Sequence, residues 1–557
     1  NVAAMHVIHL MRRFLMKRTS VVAVLMIALA LVAMAAPVAY AQAPAPKVTI
    51  NGLIDQVMSY SRNIANYNGG VFNRPDSQWY ARTRGRFDVT GEIGKAKAVL
   101  GIEIDTAWGQ TGSTDTNQAG TATGRTAFGT TSSWDLNTDS QAVIEIKWLY
   151  TEFEMPLIPV PTTVRLGAQP FGAAATYKLT YATGDFAGVN VVSQVAPNVK
   201  LLGTYVQVEE NLVGTDTANS NDPATQSPAG ILSTQNRGND HAYIFSAEIT
   251  PFKGLDIKPM FSGFVAEGTT NGAARQGRGG INTTTAYSPT GDFRGDMDEA
   301  RYTVGMDARF RMGPFSLDPT VFYQYGHRTV IAPANFAASG AIPGRRYRAD
   351  LDAWFIDLRA GFQLGPLLLQ GIAVYSTGNS ARNNTLDKVR YFQPLSTDTG
   401  YQADWGNQLT GLGLDYLNAW NEGQGRIAYP GVSIGWDKYG RAQLGLKATY
   451  AITPALSITG GVNGHWTATP VDRNGTATAG AGITPVFAGA TPRDNERYVG
   501  TEFFALVGWR FAPGLSWDNA FGYMKMGPAL DGVTDPSAGG RNTNEPMILT
   551  SRIRFTF

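Results

Sequence analysis

The sequence predicts an all-β protein, an antiparallel transmembrane β-barrel of about eighteen strands. Three observations support this fold class. Many segments of about ten residues alternate between apolar and polar side chains. Every second connection between these segments is a tight turn, and the chain ends in an amphipathic segment closed by Phe557. A barrel of sixteen strands remains an alternative.

The alternation is clearest in residues 78–93. One parity there is apolar or small and includes Trp79 and Phe87. The other parity is polar and carries three arginines, Arg82, Arg84 and Arg86. A soluble sandwich also alternates in this way, so a single strand does not identify the surroundings of each face.

The lengths of the connections distinguish a transmembrane barrel from a soluble sandwich. Short ones, such as Gly94-Lys95 and 364–366, alternate with long ones rich in Gly, Thr, Ser, Asn and Asp, such as 107–141 and 378–439. Transmembrane barrels have short periplasmic turns and long outer loops, whereas a Greek-key sandwich has no reason to sort its loops by length. We therefore predict a barrel, with 378–439 as an outer loop.

The composition argues against several other classes. After residue 41 no apolar run reaches the roughly 18 residues of a spanning helix. The chain has no cysteine, which excludes disulfides and thiolate chemistry. Outside the leader its histidines are His241, His327 and His465, which lack metal-ligand spacing. No nucleophile, base and orienting group converge in the pattern, so we expect no enzyme activity, metal or cofactor.

An export signal precedes the alternating region. Lys17 and Arg18 come before an apolar stretch that ends in an A-x-A cleavage pattern at Ala39 and Ala41. Residues 1–41 are therefore predicted as a cleaved signal peptide. Its first fifteen residues are an over-extended start, because a conventional leader begins at Met16.

The mature chain is expected to hold a short periplasmic lead, 42–47, and then the barrel, 48–557. The full chain has a formal net charge of +2, and the leader contributes four basic residues and no acid, so the mature charge is 2 − 4 = −2. This charge gives no indication of nucleic-acid binding.

Both ends of the mature chain resemble Gram-negative general porins. VTINGLIDQVMSY from residue 48 is similar to their first strand, and RFDVTGEIGKAKAVLGIEID from residue 86 to their second and third strands. Ile553, Phe555 and Phe557 share one parity of the last strand, which resembles the assembly signal of outer-membrane barrels. General porins have sixteen strands, so the predicted eighteen depart from the family pattern.

The resemblance implies a water-filled channel in the cell outer membrane for passive diffusion of ions and small hydrophilic solutes. It also implies a homotrimer in lipid and lipopolysaccharide, inserted by the barrel-assembly machinery. A substrate-selective eighteen-stranded channel is an alternative. A surface-binding barrel that serves as adhesin or receptor is another, because long loops can bind partners as well as gate a pore.

Two interpretations apply to the wall arginines. If Gly94-Lys95 is a two-residue turn, Arg84 faces Asp105 and Arg86 faces Glu103, and such opposite charges stabilise a sheet by themselves. The resemblance implies instead a selectivity element, because wall arginines of general porins face an acidic loop. Arg82 has no local partner in this register and is assigned to the pore.

A second set of lumen charges is predicted farther along the chain. Arg301 and Arg309 alternate with apolar residues, and Arg309 would face Asp318 across the next turn. By resemblance, the connection at 170–185 folds inward and narrows the channel; an ordinary outer loop is the alternative. It carries one lysine, Lys178, and one acid, Asp185. We therefore expect weak selectivity, slightly in favour of anions.

Overall fold

The computed structural model describes eighteen stretches of the chain. They are 44–63, 77–108, 133–134, 143–172, 176–178, 180–182, 184–209, 240–266, 298–331, 346–378, 388–395, 405–411, 413–414, 440–471, 476–477, 483–484, 496–530 and 545–557. The predicted signal peptide, with Ala39 and Ala41 at its cleavage site, lies outside the described residues.

Eighteen long antiparallel strands form the wall of a single sheet. They are β1 (Lys47–Arg62), β2 (Ser77–Ile93), β3 (Ala96–Trp108), β4 (Val143–Glu154), β5 (Thr162–Pro170), β6 (Asp185–Ala196), β7 (Val199–Glu209), β8 (Asp240–Phe252), β9 (Leu255–Ala266), β10 (Asp298–Met312), β11 (Phe315–Ile331), β12 (Arg346–Leu364), β13 (Leu367–Ser376), β14 (Arg441–Thr453), β15 (Leu456–Val471), β16 (Glu496–Ala512), β17 (Leu515–Met526) and β18 (Met547–Thr556). The prediction of an eighteen-stranded barrel is confirmed.

A few short elements accompany the wall. Ser133–Trp134 and Lys388–Val389 pair in parallel with the ends of β3 and β12, and Thr476–Ala477 pairs with Ile483–Thr484. Pro528–Leu530 is a single 3-10 turn. No helix in the described part of the chain is long and apolar enough to cross a membrane.

The sheet closes on itself because β1 pairs with both β2 and β18. Phe557 and Gly52 exchange two backbone hydrogen bonds of 3.0 Å at this seam. A Cβ atom on Gly52 would lie 2.8 Å from the Phe557 ring, so only glycine fits there without displacement. The described strands therefore form a closed wall, and a hydrocarbon environment requires such closure because unpaired backbone groups are costly there.

Short turns join β2 to β3, β4 to β5 and so on to β16 and β17, as predicted. Gly94 and Gly313 lie in two of them with φ of 58° and 56°. Two-residue hairpin turns need this left-handed conformation, which glycine adopts without a Cβ clash. The turns fix the register of each hairpin and therefore the face on which every side chain lies.

The two faces of the wall differ in chemistry. Large apolar side chains point outward, such as Trp79 and Leu446, which are 68% and 66% exposed. Trp509 and Trp517 contribute to an outward aromatic band near the short turns, with ring centres 6.3 Å apart. Charged and polar side chains occupy the lumen parity. This division is the one expected of a barrel with lipid outside and water inside.

Within the described residues, two connections enter the lumen. The described residues of 171–184, between β5 and β6, form the first inner segment. The described residues 388–395 and 405–411, between β13 and β14, form the second inner segment. The second contradicts the prediction of 378–439 as an outer loop. Its aromatic residues pack against the lumen wall, with the Phe392 ring centre 6.2 Å from that of Phe322 and 5.2 Å from that of Phe355.

Candidate pore constriction

The ion-pair ladder consists of the lumen charges on β2 and β3: Arg82, Arg84, Arg86, Glu103 and Asp105. The register places Arg84 opposite Asp105 and Arg86 opposite Glu103, so the predicted pairing is confirmed. Arg84 donates from Nε to Asp105 Oδ1 over 2.6 Å, and its Nη2 lies 3.3 Å from Glu103 Oε1. Arg86 donates from Nε to Glu103. The ladder is therefore a set of cross-strand ion pairs.

The prediction that Arg82 lacks a local partner is wrong. The register places it opposite Ala107, yet its Nη1 lies 3.9 Å from Asp105 Oδ1. An arginine side chain is long enough to reach a diagonal cross-strand neighbour. Arg82 is also only 2% exposed, so it belongs to the ladder and does not stand alone in open water.

Asp185 extends the ladder wall from β6. Its Oδ2 lies 3.1 Å from Lys147 Nζ, and its Oδ1 accepts a hydrogen bond from the Trp148 indole over 2.5 Å. Lys147 Nζ also lies 3.5 Å from Glu103 Oε2. With Lys147, Asp185 and the neighbouring lumen residue Asp88, this wall carries four cations and four carboxylates. Its charge is balanced.

Lys178 anchors the first inner segment to the opposite side of the barrel. Its Nζ donates to the backbone carbonyls of Asp318 and Asp357 over 2.6 and 3.0 Å, and lies 3.6 Å from Asp357 Oδ1. Burial lowers the pKa of Lys178, whereas the carboxylates of Asp357 and Asp307 act in the opposite direction. The lysine was predicted as a pore residue, and the structure places it both at this anchor and beside the pocket described below.

Arg309 also binds the first inner segment. Its Nη2 donates to the Tyr177 carbonyl over 3.0 Å, and its guanidinium lies 4.5 Å from the centre of the Tyr177 ring. The neighbouring pairs of β10 and β11 keep the register that aligns Arg309 with Asp318 as predicted, but the ion pair of Asp318 is made with Arg311, whose Nη2 donates to Oδ2 over 2.9 Å. Strand register determines which wall residues face each other, but it does not determine where an inner segment lies.

Arg301 lies beneath the second inner segment. It is 1% exposed, its Nη1 is 3.2 Å from Glu299 Oε1, and it donates to Gln393 Oε1. Arg328 donates from Nη2 to the same Gln393 oxygen over 2.7 Å. The assignment of Arg301 as a pore-lining residue is therefore corrected, because a connection predicted to lie outside covers it.

The two inner segments meet in the lumen. The backbone N–H of Leu395 donates to the Tyr181 carbonyl over 2.9 Å. On the far side of this contact, Trp405 donates from Nε1 to Asn463 Oδ1 over 3.1 Å, and Lys447 Nζ lies 4.4 Å from the centre of its ring. Together the segments narrow the barrel between its two ends.

A cationic pocket of about 250 Å³ lies between these segments and the wall. Its lining includes five cations, two aromatic residues and one acid: Lys178, Arg309, Arg311, Arg359, Lys447, Tyr177, Trp405 and Asp318. Arg311 adjoins the short turn at Gly313, so the pocket lies toward the short-turn end. Asp307 and Asp357 are buried behind it, so the pocket surface itself carries five cations and one carboxylate. Such a surplus attracts small anions.

The three histidines of the described residues, His241, His327 and His465, lie on three separate strands, β8, β11 and β15. Within the described ranges, no group of three or more His, Cys, Asp or Glu side chains could hold a metal ion. His241 Nδ1 lies 2.7 Å from the Tyr205 hydroxyl, and His465 Nε2 lies 3.1 Å from the Thr410 hydroxyl.

Trp405 and the rest of the second inner segment are not among the residues predicted from the sequence. The sequence did contain a signal: the long connection 378–439 is rich in polar residues and glycine but also holds several aromatic residues, among them Tyr391, Phe392 and Trp405. Large aromatic side chains are stabilised by burying their apolar surface, and a hydrated outer loop leaves that surface in water. Their presence indicates that part of the connection packs against a wall.

The chain is similar in fold to several solved structures at low sequence identity. The chain is similar to a BenF-like porin from Pseudomonas fluorescens Pf-5, with 11% identity, 92% of this chain and 98% of that chain covered, and a TM-score of 0.47. It is similar to OccAB1 of Acinetobacter baumannii, with 11% identity, coverage of 91% and 97%, and a TM-score of 0.45. For OccK8 (OprE) of Pseudomonas aeruginosa the identity is 10%, the coverage 92% and 98%, and the TM-score 0.45. No protein-family model and no curated protein sequence matches the chain.

Proposed function

We propose that this chain is an outer-membrane porin, a water-filled channel for passive diffusion of ions and small hydrophilic solutes. One observation carries the proposal. A closed eighteen-stranded barrel with an apolar outward face encloses a charged lumen. Two inner segments narrow that lumen beside the cationic pocket. A barrel that served only as an anchor for surface loops would have no need of this charged constriction.

The proposal includes a preference for anions. A solute that passes the constriction meets the balanced ladder wall on one side and the cationic pocket on the other. Of the pocket cations, Arg309 is exposed to the lumen and donates to a neutral carbonyl. A charge in the narrowest, least hydrated part of a channel has the strongest effect on passing ions. The pocket therefore determines the sign of the selectivity.

The location and assembly form part of the same proposal. We expect the mature chain to start after Ala41, to reach the cell outer membrane, and to be inserted by the barrel-assembly machinery through a signal that includes Ile553, Phe555 and Phe557. Outward exposure of these three side chains at the closing seam is consistent with such a signal. A homotrimer surrounded by lipid and lipopolysaccharide is expected by resemblance, and channel openings in steps of three would test it.

Solute uptake by proteoliposomes tests the channel function. Vesicles with the folded protein should swell in neutral sugars at a rate that falls as the sugar grows, because the inner segments limit the width. Small organic anions should enter faster than cations of equal size. The control is the same protein unfolded by heat before reconstitution. Swelling no faster than in this control would refute the proposal.

A further inference from the structure

Glu502 on the lumen face of β16 holds the second inner segment. Its side chain is 0% exposed. Its carboxylate accepts hydrogen bonds from three consecutive backbone N–H groups, those of Gln408, Leu409 and Thr410, over 2.7, 2.9 and 3.1 Å. The Thr410 hydroxyl also donates to it. Four donors from one short stretch of chain thus converge on a single wall carboxylate.

This arrangement makes the carboxylate and the segment depend on each other. A buried charge is costly unless several donors bind it. Successive backbone N–H groups form a concave anion site, and hydrogen bonds to an ionised acceptor are stronger than neutral ones. If the segment left, Glu502 would lose all four donors. If glutamine replaced Glu502, one of its two acceptor oxygens would become an N–H₂ donor, and part of the set of donors at residues 408–410 would lose its acceptor.

A chain of buried hydrogen bonds continues from this anchor to Trp405. Asn407 donates from Nδ2 to the Thr410 hydroxyl over 2.6 Å, and Asn463 donates from Nδ2 to Asn407 Oδ1 over 2.5 Å. Asn463 Oδ1 in turn accepts the Trp405 indole N–H over 3.1 Å. The indole and Lys447, which lies against it, both line the cationic pocket.

We infer that Glu502 is a positioning residue that determines the width and ion selectivity of the constriction without lining the pocket. Through the buried chain it fixes Trp405, which in turn orients Lys447 toward passing ions. The inference rests on the proposed channel function. The positioning role of Glu502 differs from a general role in folding, because loss of Glu502 should change the pore of a barrel that is still folded.

Single-channel recording of Glu502→Gln in the full-length protein tests the inference. Glutamine keeps the shape but removes the charge and places an amide N–H₂ among N–H donors. We expect the unitary conductance to rise about twofold or more, the reversal potential in a KCl gradient to move toward zero, and the open-state current noise to increase. Heat-modifiable mobility in gels confirms that the barrel is folded.

Glu152→Gln is the matched control. Glu152 accepts hydrogen bonds from Arg165 over 2.6 Å and lies 2.7 Å from Lys97 Nζ, on the wall of β4. The substitution removes the same charge from a wall glutamate that binds side chains of other wall strands. Its conductance and current noise should match those of the wild type.

If Glu502→Gln fails to fold, a pair of variants at Thr410 tests the positioning role of Glu502. Thr410→Val removes the hydroxyl that donates to Glu502, and Thr410→Ser keeps it. The valine variant should shift conductance and noise in the same direction as Glu502→Gln, and the serine variant should behave as the wild type. Both variants leave the carboxylate charge and the three backbone donors in place.

The outcomes separate this inference from the proposed function. A wild-type protein that conducts, together with a folded Glu502→Gln that has unchanged conductance, noise and reversal potential, would overturn the inference alone. Equal behaviour of the valine and serine variants would do the same. A folded wild type that never conducts would overturn the proposed function.

Discussion

The ion-pair ladder and the cationic pocket use the same residue types to different effect. In the ladder, Arg84 and Arg86 bind carboxylates directly across one hairpin, and the surrounding wall is balanced in charge. In the pocket, Arg309 donates to a backbone carbonyl and Lys447 lies against an indole, and cations outnumber acids. The ladder arginines bind carboxylates and contribute to the wall, whereas Arg309, which is exposed beside the first inner segment, contributes to selectivity.

The difference arises from how each group is positioned. The ladder depends only on a tight turn and a strand register, which are local features of the chain. The pocket requires two connections to cross the lumen and bring Lys178 and Trp405 to a distant wall. We therefore expect ladder substitutions to affect mainly stability and pocket substitutions to affect mainly conduction.

The largest expected effect is on the stability of the ladder. Arg84→Met leaves the Asp105 carboxylate without the arginine that binds both of its oxygens and removes one of the cations near Glu103. Loss of one member of such a pair in the wall costs about 3 kcal/mol of unfolding free energy. Denaturant unfolding of the folded barrel in detergent measures it. The exposed Arg309→Met should change the unfolding free energy by less than about 0.5 kcal/mol.

The double variant Arg84→Met with Asp105→Leu provides a further check of the ladder. It removes both members of the pair and should recover part of the lost stability. Equal unfolding midpoints for Arg84→Met and the wild type would contradict the assignment of the ladder to the structural wall.

The next largest effect is expected on selectivity at Arg309. Arg309→Glu changes the pocket charge by two units, which is worth about 1 kcal/mol and about a fivefold fall in the anion-to-cation permeability ratio. Reversal potentials in a KCl gradient measure the ratio. Arg309→Lys keeps the charge and should keep the ratio, and an unchanged ratio for the glutamate variant would show that the pocket does not determine selectivity.

A smaller effect is expected at Lys447. Lys447→Met removes one charge and the contact with the Trp405 ring, so the permeability ratio should fall by about twofold. Lys447→Arg keeps a cation that can stack on the indole and serves as the control. If Lys447→Arg lowered the permeability ratio as much as Lys447→Met does, the shape of the side chain at this position, and not its charge, would be responsible.

The smallest effect is expected from salt. Raising KCl from about 0.1 M to about 1 M shortens the screening length from about 10 to about 3 Å. The exposed pocket charges are then screened, and the anion preference should fall by less than about twofold. The denaturation midpoint should barely move, because buried pairs are screened much less. If the denaturation midpoint changed with KCl as strongly as the anion preference does, the contrast between the ion-pair ladder and the cationic pocket would be contradicted.

The barrel itself could be predicted from the sequence because its determinants are local. Alternation with period two assigns each side chain to a face, and turns such as Gly94-Lys95 fix the register. From these alone Arg84 was matched with Asp105 and Arg86 with Glu103. The partner of Arg82 was missed because a diagonal contact depends on side-chain length as well as on register.

The constriction could be predicted only in part. Arg309 was assigned to the lumen from its parity, but its contact with Tyr177 depends on where the first inner segment lies. The sequence predicts Arg301 as a pore-lining residue, because the connection that covers it is predicted as an outer loop. Contacts between residues about ninety positions apart, such as Arg301 with Gln393, follow from packing within the lumen and leave no periodic trace in the sequence.

The reversal potential of single wild-type channels in a KCl gradient tests the central claim most directly. The account predicts stepwise openings of the purified mature protein with a potential of the sign that indicates preference for chloride over potassium. A potential of the opposite sign, or the absence of openings from verified folded barrels, would contradict it.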